Sequence, residues 1–497
     1  MFLVQQIHRT AAATPLKLAL VFNGAPVTYG TFWRFIEGCR RSLAPHLPDR
    51  GIALIWVDSL LEGAILDIAL RSLGLDTAVL RTGDQVGLFA AADVACLVTL
   101  ASEAKSAQPP PGLRHLVISD PSRQPLDLAA PLPPAPDPCP AGGHVSLTSG
   151  TTGVYKKVLR GFGGTPGPIE QRLARYQELG PGFRPLSADT VMNVFNMGLW
   201  SAGGYGWPVF IWGLGGAVVF QQTDDFHRAL DWPGITHTLA TPWYLSQLMA
   251  LPEGAFPYRP DMQLVVVSGA VSPALARQTR ARLTPRVLVN LSSTEGGGWA
   301  RTLIETDEDL RWYRLDPTRR VEIVDEADAP LPFGELGRVR VSLREDNAKS
   351  YLDDPVATAA FFQDQWFYPG DLGVLDGAGR LALYGRTSDI VHVDGVKYPA
   401  EPWERAIRDR LECDGVCVLS GNWRTGAEQL HVFIESRRPI EPAVLTAVLQ
   451  EAVAGFGIIQ AHVVDALPRT ATGKIRRMAL AQSLHEGAVG PGAAQPG

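Results

Sequence analysis

The sequence predicts an α/β fold with more than one domain, and two observations lead to that prediction. The chain has 497 residues, and a single hydrophobic core stops growing well below that length. Between about residues 16 and 120, short apolar runs alternate with amphipathic stretches. Because strands and helices that alternate in this way form parallel sheets covered by helices on both faces, we expect at least one such sheet.

The elements of this first sheet can be assigned in order. Residues 52–57 are continuously apolar, as is typical of a buried parallel strand. Residues 60–73 have the apolar spacing of a helix and stop at Gly74, a residue type that favours helix ends. Three further apolar runs continue the strand series: 77–80, 94–98 and 115–118. Residues 121–143 are rich in Pro and Ala and predict an extended connection.

Composition excludes several classes of protein. A net charge of −6 lacks the excess of positive charge that is typical of nucleic-acid-binding proteins. No apolar run approaches the roughly 20 residues that a membrane span needs, and the first residues do not resemble a secretion signal. The cysteines are scattered and complete no zinc-binding pattern: Cys39, Cys96, Cys139, Cys413 and Cys417. We therefore expect a reduced, cytoplasmic enzyme that is a monomer or a homodimer.

Residues 144–157 form the most informative stretch of the sequence. Two glycines allow a sharp turn whose backbone N–H groups point into one concavity, as phosphate binding requires. Hydroxyl groups and a lysine supply further donors and positive charge. The candidate phosphate contacts are Thr148, Ser149, Gly150, Thr151, Thr152, Gly153 and Lys156. The spacing is not that of a Walker A loop, and the alternative is a polar surface loop.

This stretch resembles the Thr-Ser-Gly-Thr-Thr-Gly-x-Pro-Lys signature of the acyl- and aryl-acid adenylating enzymes, with Tyr155 in place of the proline. Further family landmarks follow in the family's order, at 240–244, 265–273, 287–295, 366–373, 383–391 and 467–477. The resemblance therefore covers almost the whole chain. It implies a large N-terminal domain, residues 1–386, built from parallel-sheet α/β subdomains. A small, mobile C-terminal α/β domain, residues 387–497, would follow.

The resemblance also implies a nucleotide site. Thr294 would contact the AMP phosphate, Glu295 would hold Mg²⁺, Asp371 would bind the ribose hydroxyls and Arg386 would reach ATP. The adenine and its surroundings would be contacted by Gly269, Ala270, Asn290, Leu291, Ser292 and Ser293. Leu291 stands where the family usually has an aromatic residue.

The acid pocket is predicted from a second group of residues. Amino-acid-activating members of the family carry a Phe-Asp pair, followed by a tryptophan, whose aspartate binds the substrate ammonium. Here the pair is Phe195-Asn196, followed by Trp200. Because a neutral amide cannot compensate a buried ammonium, we expect an acid without an α-amino group, with a preference for aryl or other flat acids. Gly203, Ser268 and Gly269 would complete the pocket. The alternative is a structural asparagine and a core tryptophan.

The C-terminal motifs carry the remaining roles that the resemblance implies. Lys474 would neutralise the reacting carboxylate and α-phosphate, Ser388 would be the hinge, and Gly395 would line a pantetheine tunnel. His392 replaces a frequent lysine.

The predicted reaction is ATP- and Mg²⁺-dependent activation of a carboxylic acid to acyl-AMP, followed by transfer to the thiol of CoA. Two alternatives remain open at this point. One is a stand-alone adenylation enzyme that loads the phosphopantetheine of a carrier protein. The other is a nucleotide-binding protein without ligase activity, which the joint presence of Glu295, Asp371, Arg386 and Lys474 disfavours.

Overall fold

The computed structural model describes ten parts of the chain: residues 2–103, 111–136, 142–149, 155–161, 183–195, 197–393, 396–421, 429–453, 459–470 and 473–485. The helices in these parts are α1 (Phe2–Ala13), α2 (Tyr29–Leu43), α3 (Leu60–Ser72), α4 (Ala202–Leu214), α5 (Pro242–Met249), α6 (Pro273–Arg282), α7 (Pro355–Phe361), α8 (Glu401–Leu411), α9 (Pro442–Ala452) and α10 (Arg477–His485).

The strands of the first half are β1 (Leu18–Phe22), β2 (Ala25–Thr28), β3 (Ile52–Ile55), β4 (Asp76–Val79), β5 (Val94–Leu100), β6 (His115–Ile118), β7 (His144–Ser149), β8 (Tyr155–Arg160), β9 (Val191–Val194), β10 (Ala217–Phe220), β11 (His237–Ala240) and β12 (Gln263–Val266). Those of the second half are β13 (Arg286–Ser293), β14 (Gly297–Leu303), β15 (Tyr313–Leu315), β16 (Val321–Val324), β17 (Gly337–Ser342), β18 (Phe362–Gln363), β19 (Trp366–Phe367), β20 (Asp371–Leu375), β21 (Arg380–Arg386), β22 (Ile390–Val393), β23 (Val396–Pro399), β24 (Gly415–Gly421), β25 (Gln429–Glu435) and β26 (Ile459–Val464).

A six-stranded sheet confirms the predicted strand series. Its order is β6-β5-β3-β4-β7-β8, and its pairs are parallel except for the β7–β8 hairpin. The predicted helix is α3, every residue of which is buried. A helix that is buried on all sides belongs in the middle of a fold, and its charged residues Glu62, Asp67 and Arg71 are buried with it.

A larger, fifteen-stranded sheet lies on the other side of α3. Its parallel part runs β1-β10-β9-β11-β12-β13, and antiparallel strands extend it through β14, β15 and β21. One apolar core joins Ile55 and Val98 of the smaller sheet to Leu20 and Val218 of the larger one. The helices between the sheets are thus buried on both faces. The α/β fold class predicted from the sequence is confirmed.

The strands after β21 belong to separate, smaller sheets. β22 pairs with β23, and β24, β25 and β26 form a three-stranded sheet with its own apolar core against α8 and α9. The predicted boundary after Arg386 falls in the short segment between β21 and β22. Within the ten described parts, no helix combines the length and apolarity needed to cross a bilayer.

Candidate active site

A cleft of about 2360 Å³ separates the large sheet from the C-terminal elements. Predicted site residues from both sides line it: Thr148, Lys156, Trp200, Gly203, Ser268, Gly269, Ala270, Asn290, Leu291, Ser292, Ser293, Thr294, Glu295, Asp371, Arg386, Ser388 and Lys474. Six predicted residues lie outside the described parts of the chain, namely Gly150, Thr151, Thr152, Gly153, Asn196 and Gly395. The structure therefore brings together, around one cavity, motifs that are far apart in sequence.

The candidate phosphate loop connects the two strands of a hairpin. β7 pairs with β8 up to Thr148 opposite Lys156 and Ser149 opposite Tyr155. The Lys156 ammonium lies 3.5 Å from the ring centroid of Phe361. Burial lowers the pKa of Lys156, while the carboxylates of Glu295 and Asp354 act in the opposite direction.

The turn after β13 carries the predicted phosphate and metal residues. Glu295 is buried, and its Oε1 accepts a hydrogen bond of 2.9 Å from the hydroxyl of Tyr351. Arg160 on β8 donates from Nη1 to the carbonyl oxygen of Thr294 over 3.1 Å. The hairpin of the phosphate loop is therefore tied directly to the turn that presents Thr294 and Glu295.

Three charged side chains meet on the other wall of the cleft. Arg386 Nε lies 3.0 Å from Asp371 Oδ1. Burial raises the pKa of Asp371, although the positive charges of Arg386 and Lys474 oppose that shift. Lys474 keeps accessible surface because it faces the cavity, but protein encloses that cavity. This enclosure, together with Arg386, lowers the pKa of Lys474, while Asp371 and Glu295 act to raise it. Asp371 thus lies close to two cations, but their positive charge does not fully offset the cost of its burial.

The position of Lys474 depends on a tight turn that contacts the large sheet's side of the cleft. Gly473 has a φ of +84°, which is in the left-handed region. A Cβ on Gly473 would lie 2.4 Å from Cβ of Trp243 at the start of α5. The backbone N–H of Lys474 donates to Oγ1 of Thr470 over 3.2 Å. Glycine is required here because any side chain would push the lysine-bearing turn away from α5.

The predicted acid pocket lies at the start of α4. Trp200 is half-buried, and its ring lies directly against Gly198, where a Cβ would come within 1.9 Å of Trp200 Cζ3. Gly203 lies against Met197. Ser268 has a φ of +71°, an uncommon conformation for a residue with a side chain, and such strained positions cluster at functional sites. Trp200, Gly203 and Ser268 thus line the same part of the cleft, with an aromatic ring and a strained backbone position among them.

Comparison with known proteins identifies the family to which this site belongs. A model described as "AMP-binding enzyme" matches residues 7–352 of the chain. The chain belongs to the AMP-binding enzyme family. The chain is 26% identical to a 4-chlorobenzoate–CoA ligase of an Arthrobacter species over 93% of its own length and 91% of that protein.

Solved structures share the fold of this AMP-binding enzyme. The o-succinylbenzoate CoA synthetase of Bacillus subtilis, in complex with an acyl-adenylate, superposes with a TM-score of 0.77 at 20% identity, covering 96% of this chain and 97% of the other. The amide bond synthetase McbA of Marinactinospora thermotolerans gives 0.76 at 20% identity, covering 97% and 99%. At this level of identity, the likeness concerns the fold alone.

Sequence reasoning about this AMP-binding enzyme missed several residues of the site. Arg160, Trp243, Tyr351 and Phe361 all line the cleft. Trp243 lies inside a recognised landmark, so that landmark was a usable signal. Arg160 and Tyr351 act across 134 and 56 positions of sequence, which no local pattern can reveal.

Proposed function

We propose that this AMP-binding enzyme activates a carboxylic acid with ATP and then transfers the acyl group to the thiol of CoA. The observation that carries the proposal is the convergence of Glu295, Asp371, Arg386 and Lys474 on one cleft. A ligand with both anionic and hydroxyl groups, such as a nucleotide, would complete these interactions. The curated relative that matches nearly the whole chain is named as an aryl-acid CoA ligase.

In the first half-reaction, a carboxylate oxygen of the acid forms a bond to the α-phosphorus of ATP. The bond from that phosphorus to the bridging oxygen breaks, and pyrophosphate leaves. Two anions must approach each other, so positive charge fixed in advance is the main contribution that the protein can make. We assign this role to Lys474, whose turn is fixed against α5. Asp371 would accept hydrogen bonds from the ribose hydroxyls.

Glu295 fits the requirements of a magnesium ligand. One of its oxygens accepts the hydrogen bond from Tyr351, and among the described residues its other oxygen accepts none. Mg²⁺ prefers hard carboxylate oxygens and is commonly bound by one or two carboxylates together with substrate phosphates. When bound there, it would neutralise phosphate charge as pyrophosphate leaves.

In the second half-reaction, the thiolate of CoA attacks the carbonyl carbon of acyl-AMP. The carbon–sulfur bond forms, the bond from carbon to the AMP oxygen breaks, and AMP leaves. We propose that residues 387–497 rotate about Ser388 between the two steps, which would remove Lys474 and bring Gly395 to the cleft. Ser388 is exposed, as a hinge residue would be.

The acid is proposed to be an aryl or other flat carboxylate without an α-amino group. The half-buried Trp200, whose ring lies in the cleft wall, supports a flat ligand. The relative named for 4-chlorobenzoate is consistent with that choice. The expectation that the acid lacks an α-amino group rests on Asn196, because a neutral amide cannot compensate an ammonium. Asn196 lies outside the described residues, so its placement in the pocket stays a prediction.

The experiment is ATP–pyrophosphate exchange with a panel of acids, followed by product analysis with different acceptors. We expect Mg²⁺-dependent exchange with aryl acids and thioester formation with CoA. Exchange with ordinary amino acids alone would contradict the substrate class. Thioester formation only with a phosphopantetheinylated carrier protein would show that the carrier protein, and not CoA, is the acceptor. Amide formation only with amines would show that the acceptor is an amine. ATP binding without exchange for any acid would favour a binding protein without ligase activity.

A further inference from the structure

Tyr351 is a buried residue of the cleft to which the proposed reaction assigns no role. It lies between β17 and α7, and its side chain is only 4% exposed. Its hydroxyl donates to Oε1 of Glu295 over 2.9 Å. Burial raises the pKa of the phenol, and the negative charge of Glu295 raises it further.

The segment that carries Tyr351 is anchored on both sides of the cleft's phosphate region. The backbone N–H of Ala348 donates to the carbonyl oxygen of Glu295 over 3.2 Å, and that of Leu352 donates to the carbonyl oxygen of Lys157 over 2.9 Å. Tyr351 itself donates its backbone N–H to Thr358 Oγ1 over 3.0 Å. This short segment thus joins the strand of the phosphate-loop lysine to the turn that presents Glu295.

The ring of Tyr351 is fixed by neighbouring aromatic residues. It makes edge-to-face contacts with Phe361 and Phe362, at centroid distances of 6.0 and 5.2 Å. The Lys156 ammonium lies 4.9 Å from the same Tyr351 ring and 3.5 Å from that of Phe361. Cation–π attraction of this kind is strongest where the ammonium is partly desolvated. One side chain therefore contacts both a candidate metal ligand and a candidate phosphate ligand.

We propose that Tyr351 is a positioning residue that prepares the cation and triphosphate site. By holding Oε1 of Glu295, it leaves the second oxygen free to face the cleft as a single-oxygen ligand. With Phe361, its ring holds the Lys156 ammonium beside that carboxylate without letting the two collapse into an ion pair. This inference rests on the proposed role of Glu295 in holding Mg²⁺. Outer-shell partners of metal-binding carboxylates commonly affect metal affinity about 10- to 100-fold.

The test is Tyr351→Phe, which keeps the ring and removes only the donor. The matched control is Tyr368→Phe, since Tyr368 is also buried and donates a 2.8 Å hydrogen bond to a carboxylate, that of Asp328, outside the cleft. The affinity for Mn²⁺ as a probe cation is measured by electron paramagnetic resonance on the ATP-bound protein. The affinity for ATP is measured separately in EDTA. Melting temperature reports on folding.

We expect Tyr351→Phe to weaken Mn²⁺ binding at least about tenfold, with ATP affinity in EDTA within twofold of wild type. Tyr368→Phe should leave Mn²⁺ binding unchanged while losing similar thermal stability. Wild-type Mn²⁺ affinity in Tyr351→Phe, or an equal loss in both variants, would overturn the inference and reduce Tyr351 to a structural residue. If the wild-type protein itself binds no Mn²⁺ with ATP, the proposed role of Glu295 fails, and the inference fails with it. The two failures can be told apart, because loss of the Glu295 role is seen in the wild-type protein, whereas loss of the Tyr351 role is seen only by comparing the variants.

Discussion

Two groups of charged side chains in this molecule look similar in their composition and differ in their surroundings. The first lies between the two sheets and centres on Asp67 of α3. The second lines the cleft and includes Asp371 and Lys474. Both contain a carboxylate, a cation and further polar groups, but Asp67 and Arg71 are fully buried whereas Lys474 is exposed to the cleft. Their comparison shows which property of a buried charge indicates a functional site.

The cluster around Asp67 is closed and well partnered. Asp67 accepts hydrogen bonds from the Tyr205 hydroxyl over 2.7 Å and from Thr77, and its Oδ1 lies 3.0 Å from His144 Nδ1. Arg71 contacts the Tyr205 hydroxyl and donates to the carbonyl oxygen of Gly142 over 2.8 Å. Burial opposes ionisation, but His144, Arg71 and Thr77 outweigh it, and the pKa of Asp67 is lowered.

The cleft shows the opposite balance. Burial dominates at Asp371 and raises its pKa, even though Arg386 lies 3.0 Å away. Burial likewise lowers the pKa of Lys474. The charged form of each group is therefore less favoured than in water. A ligand that brings negative charge to Lys474 and hydroxyl donors to Asp371 would favour the charged form of both. Incomplete compensation beside a cavity, more than burial itself, marks the candidate site.

The largest effect on stability is expected at the closed cluster. Asp67→Asn leaves the buried guanidinium of Arg71 without its counter-charge, and breaking a buried pair in this way costs about 3–5 kcal/mol. The free energy of unfolding, measured with urea, should fall by that amount, while the Michaelis constants of the remaining folded enzyme stay close to wild type.

The control for this variant is Glu451→Gln, which removes a carboxylate from the exposed Arg410–Glu451 pair. Exposed pairs contribute at most about 1 kcal/mol. Equal losses for Asp67→Asn and Glu451→Gln would mean that the closed cluster does not contribute to stability as described.

A buried histidine without an acidic partner provides the next test. His237 on β11 is only 1% exposed, and burial lowers its pKa to about 4. Its pKa in the unfolded chain is about 6.5. Protons therefore bind the unfolded state more tightly, and stability is lost as the pH falls from about 6.5 towards 4, by up to about 3 kcal/mol. His237→Gln should remove that part of the acid sensitivity, which is measured as the difference in unfolding free energy between pH 7.5 and pH 4.5. An unchanged difference would show that His237 does not titrate in this window.

The smallest predicted effect concerns adenine binding. Leu291 lines the cleft at the position where the family usually has an aromatic residue. Leu291→Tyr should increase the affinity for ATP by about 0.5–1.5 kcal/mol, or roughly tenfold at most, because a ring can stack on adenine. Isothermal titration calorimetry would measure the change. Weaker or unchanged binding would place the adenine away from residue 291.

The same comparison explains what could be predicted from the sequence. The strands at 52–57 and 94–98 and the helix at 60–73 follow from local apolar patterns, and the structure confirms them. The cleft residues were found because their motifs are local in sequence. The closed cluster joins α3, β4, β7 and α4 through single side chains such as Thr77 and Tyr205. The contact between Tyr351 and Glu295 spans 56 positions. Such partnerships depend on how the sheets pack, and no short stretch of sequence encodes them.

The most direct test of the account is to separate catalysis from stability at Lys474. Lys474→Ala removes positive charge aimed at the reacting phosphate, so ATP–pyrophosphate exchange should fall by about 10²–10³-fold. The melting temperature should stay unchanged, since the Lys474 side chain keeps accessible surface in the cleft. Conversion of supplied acyl-AMP to thioester should remain near normal, and Gly395→Leu should show the reverse pattern. Normal exchange in Lys474→Ala would contradict the assignment of the cleft. Equal loss of both half-reactions in the folded variant would contradict the rotation of residues 387–497.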